Sequence, residues 1–372
     1  MLLVNDVATV GGGQTVMLGV ARVLLEAGFD AHVACPPGPL ADDSAALGAK
    51  WHDFQCSERR VLTSTWRVPR PQAVAARVRE GRRLAALADD VGAQIVHTGA
   101  QVPHLDVQAA RPHLRASTLW HLNQVHPRYM FAGPLPDKII GVSQAALRPA
   151  SWRPAVNRRS VVVSNGIDVD RFRPPTPDER ASARDALGLG SSFTVVTVAR
   201  LEPLKGIDVL IRAAARTGAK PTLLIIGDAT GFVGGGAYGE SLNQLATTLG
   251  VNARFLGHRA DVPTLLWAAD VFAFASRWEA FGLVLAEASA SALPVVSTDI
   301  GGCSEVVDCS SGLLVGRDDA AGFAAAFDRL ADDASLRREL GAAGRRRVLQ
   351  MFDGGRLGQR LIPHYLELAA GR

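Results

Sequence analysis

Two glutamates with seven residues between them, Glu279 and Glu287, flank a Phe281-Gly282-Leu283 step that reads as the opening of a helix. Glu279 falls on the loop before that helix. Glu287 is expected about six residues into it, about 9 Å along the axis. The backbone amides of Phe281, Gly282 and Leu283 would lie between the two carboxylates, at a helix N-terminus suited to an anion. Upstream, Arg200-Leu-Glu-Pro-Leu-Lys205-Gly206 sits between a strand pattern and a helix pattern. Arginine offers a bidentate fork and lysine a compact point charge, a combination suited to a diphosphate. At the C-terminal edge of a parallel sheet, Arg200 and Lys205 are expected to converge on one such anion. An isolated Arg/Lys pair reads more plainly as two solvated surface cations, and the flanking glutamate pattern weighs against that. Lys205 also stands out because the chain holds only four lysines.

Other constellations are less specific. Gly11-Gly12-Gly13 follows a strand and precedes a helix, so its amides can face a phosphate or an acceptor. It matches two glycines of G-x-G-x-x-G, but Val16 occupies the third position, which weighs against a nicotinamide site; a purely structural turn is the other reading. Asp168-Val-Asp170 imitates a metal-binding D-x-D, yet it lies in the Asn165-Gly-Ile-Asp168 turn, and no metal is expected. His121 and His126 do not make H-E-x-x-H. His121 and His97 both stand at expected strand ends. Ser57 to Arg83 holds eight arginines against Glu58 and Glu80. That segment reads as a solvated helical face, or as a surface for an anionic membrane or an acidic acceptor.

The elements that must position these groups follow from hydrophobic patterning. Strand runs are expected at Leu2–Asn5, Ala31–Cys35, Gln94–His97, Ser117–Trp120, Lys138–Val142 and Ser160–Val163, alternating with helical patterns such as Thr15–Ala27. Arg171-Phe-Arg-Pro-Pro-Thr-Pro-Asp178 then reads as a stiff linker. The alternation restarts with Thr194–Ala199, helix Ile207–Ala215 and strands at Thr222–Ile226, Arg254–Leu256, Val271–Ala275, Pro294–Ser297 and Leu313–Val315. A last helix is expected over Arg356–Ala370, through Leu357, Leu361 and Leu366. Strand–helix alternation of this kind argues for parallel sheets covered on both faces.

Composition sets outer bounds. The chain has 372 residues, with 48% hydrophobic and 20% charged, which excludes global disorder and suggests two domains. Forty Lys+Arg against 36 Asp+Glu leave +4, short of a nucleic-acid footprint. Four cysteines without a CxxC pair favour neither a disulfide scaffold nor a zinc site. The opening MLLVND lacks the basic-then-apolar pattern of a secretory leader, and no apolar run reaches 18 residues. The expected location is the cytoplasm, with peripheral membrane contact through Arg59–Arg83 as an open reading.

From Val162 to Val315 the sequence resembles glycosyltransferase family 4. The resemblance rests on Ser164-Asn-Gly-Ile-Asp168, Arg200…Lys205-Gly206, Phe255-Leu-Gly257, the Glu279/Glu287 pair and Gly301-Gly-Cys-Ser-Glu305. Where the family often carries Gly-x-Gly-Pro, this chain has Gly227-Asp-Ala-Thr-Gly231 and then Gly234–Gly236. The resemblance implies an α/β GT-B fold: two Rossmann-like domains facing a central cleft, with a C-terminal helix returning to the N-terminal domain. It implies an acceptor domain at 1–174, a nucleotide-sugar domain at 175–352 and a crossover helix at 353–372. The implied activity is retaining, metal-independent transfer of a hexosyl-type group from a nucleotide-diphosphate sugar, a UDP-sugar first and a GDP-sugar second, to a small-molecule, glycan or lipid-linked hydroxyl. No cofactor is implied. Catalytic roles fall to His121, Glu279, Arg200 and Lys205. Donor contacts fall to Gly12, Gly13, Arg200, Lys205, Gly257, His258, Glu279, Phe281, Gly282, Leu283 and Glu287. Glu279 is read as a hydrogen-bonding partner of the sugar, with a nucleophilic role as its alternative. A nucleotide-sugar epimerase on the same fold, or a non-catalytic sugar-nucleotide-binding subunit, are the competing functions.

Overall fold

A computed structural model describes residues 1–9, 11–56, 71–99, 101–124, 134–229 and 235–371. The chain forms two compact units, Met1–Gly166 with Gly355–Arg372, and Ile167–Gly354. The first holds strands β1 (Leu2–Val4), β2 (His32–Cys35), β3 (Lys50–Asp53), β4 (Ile95–Thr98), β5 (Ser117–Leu122), β6 (Lys138–Gly141) and β7 (Ser160–Val162) in the order β3-β2-β1-β4-β5-β6-β7. The second holds β8 (Thr194–Val198), β9 (Thr222–Ile226), β10 (Ala253–Gly257), β11 (Val271–Phe274), β12 (Val295–Thr298) and β13 (Gly312–Val315) in the order β10-β9-β8-β11-β12-β13. Every paired strand is parallel. Parallel strands need crossovers, and helices supply them on both faces. Leu223 to Ile225 of β9 are consequently buried on both sides, one face against Leu210, Ile211 and Phe323.

Each sheet reverses its winding once, between β1 and β4 and again between β8 and β11. Such a switch point opens a crevice outside the carboxyl ends of the strands. In the second unit the opening is visible in the register. β8 and β11 pair at Val195↔Val271 and Val196↔Phe272, with no pairing recorded beyond.

Three expectations need correction, and one strand was not expected at all. The boundary lies at Gly166/Ile167 rather than 174/175, because the segment after Ile167 is bound into the second unit. Ile167 N donates to Phe352 O at 2.7 Å, Gly354 N to Ile167 O at 2.8 Å, and Trp267 Nε1 to Arg173 O at 2.8 Å. The return to the first unit correspondingly falls at Gly355 rather than 353. In the last helix, Leu357–Ala370, Tyr365 and not Leu366 follows Leu357 and Leu361 inward; Leu366 is exposed. Strand β3 escaped the hydrophobic pattern because it is an edge strand, Lys-Trp-His-Asp, with no buried residue.

Of the arginine-rich segment, residues 57–70 lie outside the described residues. The helix Pro71–Asp90 carries the remainder, and its cations are not uniformly solvated. Glu80 is buried, accepting from Arg83 at 2.7 Å and Arg79 at 3.0 Å. Among the described residues no helix is long and apolar enough to cross a membrane.

Candidate functional site

The loops after β8 and β11 carry the densest chemistry of the second unit. After β8 the chain turns through a short 3-10 helix, Pro203–Lys205, to Gly206 at φ +63°. A Cβ on Gly206 would lie 2.0 Å from Ala275 O, so the turn packs directly on the end of β11 as only glycine allows. That contact delivers Lys205 to the neighbouring loop. Its Nζ lies 2.9 Å from Glu279 Oε2, each side chain 17% exposed, and 5.7 Å from the centre of the Phe274 ring. Glu279 Oε1 also accepts from Ala280 N at 3.2 Å. Gly302 closes the far side: its N–H donates to Glu279 O at 3.2 Å, and a Cβ there would sit 2.0 Å from Ala280 O.

Arg200 and Lys205 are each held by their own carboxylate rather than converging. Arg200 Nη2 donates to Glu202 Oε1 at 2.9 Å and remains 58% exposed. An anion entering the site would find Arg200 the more open cation and Lys205 the more enclosed one.

The helix between the glutamates begins later than expected. Gly282, at φ +88°, caps Leu283–Ala290, so Glu287 is its fifth residue and stands only about 6 Å along the axis from Leu283. Leu285 N and Ala286 N both donate to Gly282 O, at 3.0 and 3.4 Å, so helix geometry leaves the Leu283 and Val284 amides without an intrahelical acceptor. Phe281 contributes only backbone, since its ring is buried edge-on against Phe352 with centres 5.3 Å apart. Burial pushes the Glu287 carboxyl up to about 7, and the charge of Arg171 opposes the rise. Near neutral pH this carboxyl is therefore poised between its two forms.

At the other edge of that sheet, Gly257 ends β10 at φ +67°, with Gly227 N donating to its carbonyl at 2.8 Å, and exposed His258 follows. Residues 230–234 of the neighbouring glycine-rich segment lie outside the described residues. Asp168, the first acid of the D-x-D look-alike, accepts from Arg171 N at 2.9 Å and so builds a turn.

In the first unit, exposed Gly12 opens the helix Gly12–Glu26, with Gly11 extended before it. A Cβ on Gly13 would lie 3.7 Å from the Asn123 amide. That amide, oriented to satisfy its neighbours, donates to His121 O at 2.9 Å and Gly99 O at 3.2 Å. His121 lies inside β5 rather than after it, because β5 continues to Leu122 between β4 and β6. Its ring is buried, and among the described residues neither ring nitrogen has a hydrogen-bond partner. Burial pulls His121 down to about 4, so it is neutral at physiological pH. The rival, His97, packs 5.4 Å from it centre to centre, and the Tyr365 hydroxyl lies 2.7 Å from His97 Nδ1. Tyr365, 268 residues from His97, and Arg277, whose Nη1 lies 3.0 Å from Asp208 Oδ1 69 residues away, were invisible to motif spacing.

The sequence matches two family models: Glycosyltransferase Family 4 over residues 10–171, and Glycosyl transferases group 1 over residues 179–347. It is 35% identical over 208 residues to a GDP-mannose-dependent monoacylated alpha-(1-6)-phosphatidylinositol monomannoside mannosyltransferase of Corynebacterium glutamicum, covering 53% of each chain. It is 40% identical over 227 residues to a D-inositol 3-phosphate glycosyltransferase of Salinispora arenicola, covering 57% of this chain and 50% of the relative. The matches thus span about half the length of these curated relatives. Among solved structures, Anabaena HepE in complex with UDP and glucose superimposes with a TM-score of 0.85 at 22% identity, over 98% of this chain and 99% of that one. Sucrose-phosphate synthase from Thermosynechococcus elongatus gives 0.81 at 22% identity, over 100% and 99%. At those identities the likeness establishes the fold.

Proposed function

The chain belongs to glycosyltransferase family 4, and from that premise we propose that it moves a hexosyl-type group from a nucleotide-diphosphate sugar to an acceptor hydroxyl, with retained anomeric configuration and without a divalent metal. The observation that carries this reading is the Lys205–Glu279 pair at the β8/β11 switch point, one step from the Gly282 helix start. Cation, carboxylate and the amides of a helix start stand close together there, the groups a diphosphate-linked sugar calls for.

In this reading the donor diphosphate displaces Lys205 from part of its contact with Glu279 and also engages Arg200 and the amides at Phe281 to Leu283. Lys205 stabilises charge developing on the departing phosphate. Glu279, released, hydrogen-bonds the sugar hydroxyls. Glu287 accepts from the ribose diol. The family resemblance assigns a sugar-orienting role to neutral His121, whose ring nitrogens have no partner among the described residues, and donor contacts to Gly12 and Gly13. Gly257 and His258 are assigned to the nucleoside side. The acceptor oxygen attacks the anomeric carbon on the face the phosphate leaves, the C–O bond to phosphate breaks, and the acceptor proton passes to the phosphate oxygen. Positioning and electrostatics supply the rate, with no glycosyl–enzyme ester.

The names of the relatives support a GDP-sugar and those of the structural neighbours a UDP-sugar as donor. The test is incubation with UDP-glucose and GDP-mannose, each with an inositol-containing acceptor panel, in EDTA. Nucleoside diphosphate release with a product of unchanged anomeric coupling is expected. An inverted product, loss of activity in EDTA, or an epimer formed from donor alone would overturn the reading.

A further inference from the structure

β8 and β11 pair at Val195↔Val271 and Val196↔Phe272, short of the carboxyl ends from which the two site loops leave. The Gly206–Ala275 packing brings the Lys205 turn to the end of β11, and side-chain links beyond that contact are needed to hold the turn against the Glu279 loop. We propose that Arg277 is the positioning residue that does so, an inference that rests on the donor-site reading above.

Both terminal nitrogens of this side chain reach across from the β11 loop to the β8 side, and Nε ties it to the loop after β13. Arg277 Nη1 and Nη2 fork onto Asp208 Oδ1 at 3.0 Å and Oδ2 at 2.8 Å, and Nη1 also donates to Pro203 O. Nε donates to Asp318 Oδ1 at 2.6 Å, and the backbone N–H donates to Leu204 O at 2.7 Å. Ser276 Oγ adds a link, 3.3 Å from Leu204 O and 2.9 Å from Trp278 O. Pro203 and Leu204 directly precede Lys205, and Arg277 stands two residues before Glu279. The clamp therefore grips both partners of the ion pair one or two residues away without touching either charged group.

Its anchors are themselves fixed. Asp208 lies in the first turn of the helix Ile207–Arg216, where an anion is favoured, and also accepts from Tyr238 OH at 3.3 Å. Asp318 sits at φ +61°, a left-handed conformation that aspartate tolerates better than most residues, and this turns its carboxylate onto the Arg277 Nε. A lysine, with one charged nitrogen, cannot serve three carbonyl and carboxylate partners in a plane.

The direct test is a crystal structure of Arg277→Met. The Lys205 Nζ–Glu279 Oε2 distance of 2.9 Å is expected to lengthen by about 1 Å or more, a displacement that in a catalytic site costs on the order of 100-fold in rate. An unchanged distance overturns the proposal. Kinetics then read the consequence: kcat/KM should fall about 10- to 100-fold in Arg277→Met. The same substitution added to Lys205→Ala should cost under about 3-fold more, since the misplaced group is already gone. Multiplying losses would show that Arg277 acts elsewhere and overturn the proposal. Arg277→Lys should not rescue, and Asp318→Asn, which removes one arm, should give a smaller loss of the same kind and covers a poorly folding Arg277→Met. A wild-type chain that transfers no sugar would defeat the donor reading, while the crystallographic distance would still judge the clamp.

Discussion

Replacing Glu287 by glutamine separates two consequences of one buried carboxyl. Burial raises it from an ordinary 4.5 to about 7. At about 1.4 kcal/mol per tenfold change in acidity, the full displacement corresponds to about 3 kcal/mol. Part of the residue's surface is still open, so about 2 kcal/mol is the working figure after solvent screening. The folded chain holds this proton more tightly than the unfolded chain. Stability therefore falls as pH rises from 4.5 through about 7, and above that the penalty is complete. Glutamine carries no such penalty, so Glu287→Gln should melt about 4–8 °C higher than wild type at pH 8, given about 2–4 °C per kcal/mol for a unit this size. Near pH 4.5 the two should melt together. Donor binding should move the other way. If the ionised carboxylate accepts from the ribose diol, only the deprotonated fraction binds well, and that fraction rises about tenfold between pH 6 and pH 8. Calorimetric titration with an intact nucleotide sugar, whose diphosphate does not ionise in this range, should show that gain in wild type and a flat profile in Glu287→Gln. A less stable variant at pH 8, or a pH slope that survives the substitution, would refute the assignment of Glu287.

The remaining expectations concern the cation and the glycine that frame Glu279. Lys205→Ala should lower kcat about 100- to 1000-fold in a donor-turnover assay, as for loss of one group that stabilises developing charge; unchanged turnover would remove Lys205 from the phosphate. Gly302→Ala places a Cβ 2.0 Å from Ala280 O, so the Glu279 loop must shift; a stability loss of about 2 kcal/mol or more in denaturant unfolding, with weaker donor binding, is expected.

Elements set by one local run of residues were legible in the sequence; those set by distant partners were not. Thr222–Ile226 was read to the residue because a buried parallel strand is a continuous apolar run. Lys50–Asp53 was missed because an edge strand carries no such run. The candidate site divides the same way. Lys205-Gly206 and Glu279…Glu287 were readable because a strand–turn–helix boundary fixes each within a few residues, and glycine marks where the backbone turns left-handed. The acidity of Glu287 was not readable, since it arises from what surrounds the helix rather than from the helix itself. Nor was the neutrality of His121, which comes from the burial of its ring in the folded unit rather than from its own strand run. Arg277 is the sharpest case. Its carboxylate partners lie 69 and 41 residues away, so within its own motif it looks like spacer. Spacing along the chain tells which groups stand on which loop, but not which side chains join the loops after β8 and β11 across the sheet. A single side chain reaching between them can govern their spacing without belonging to any recognisable pattern.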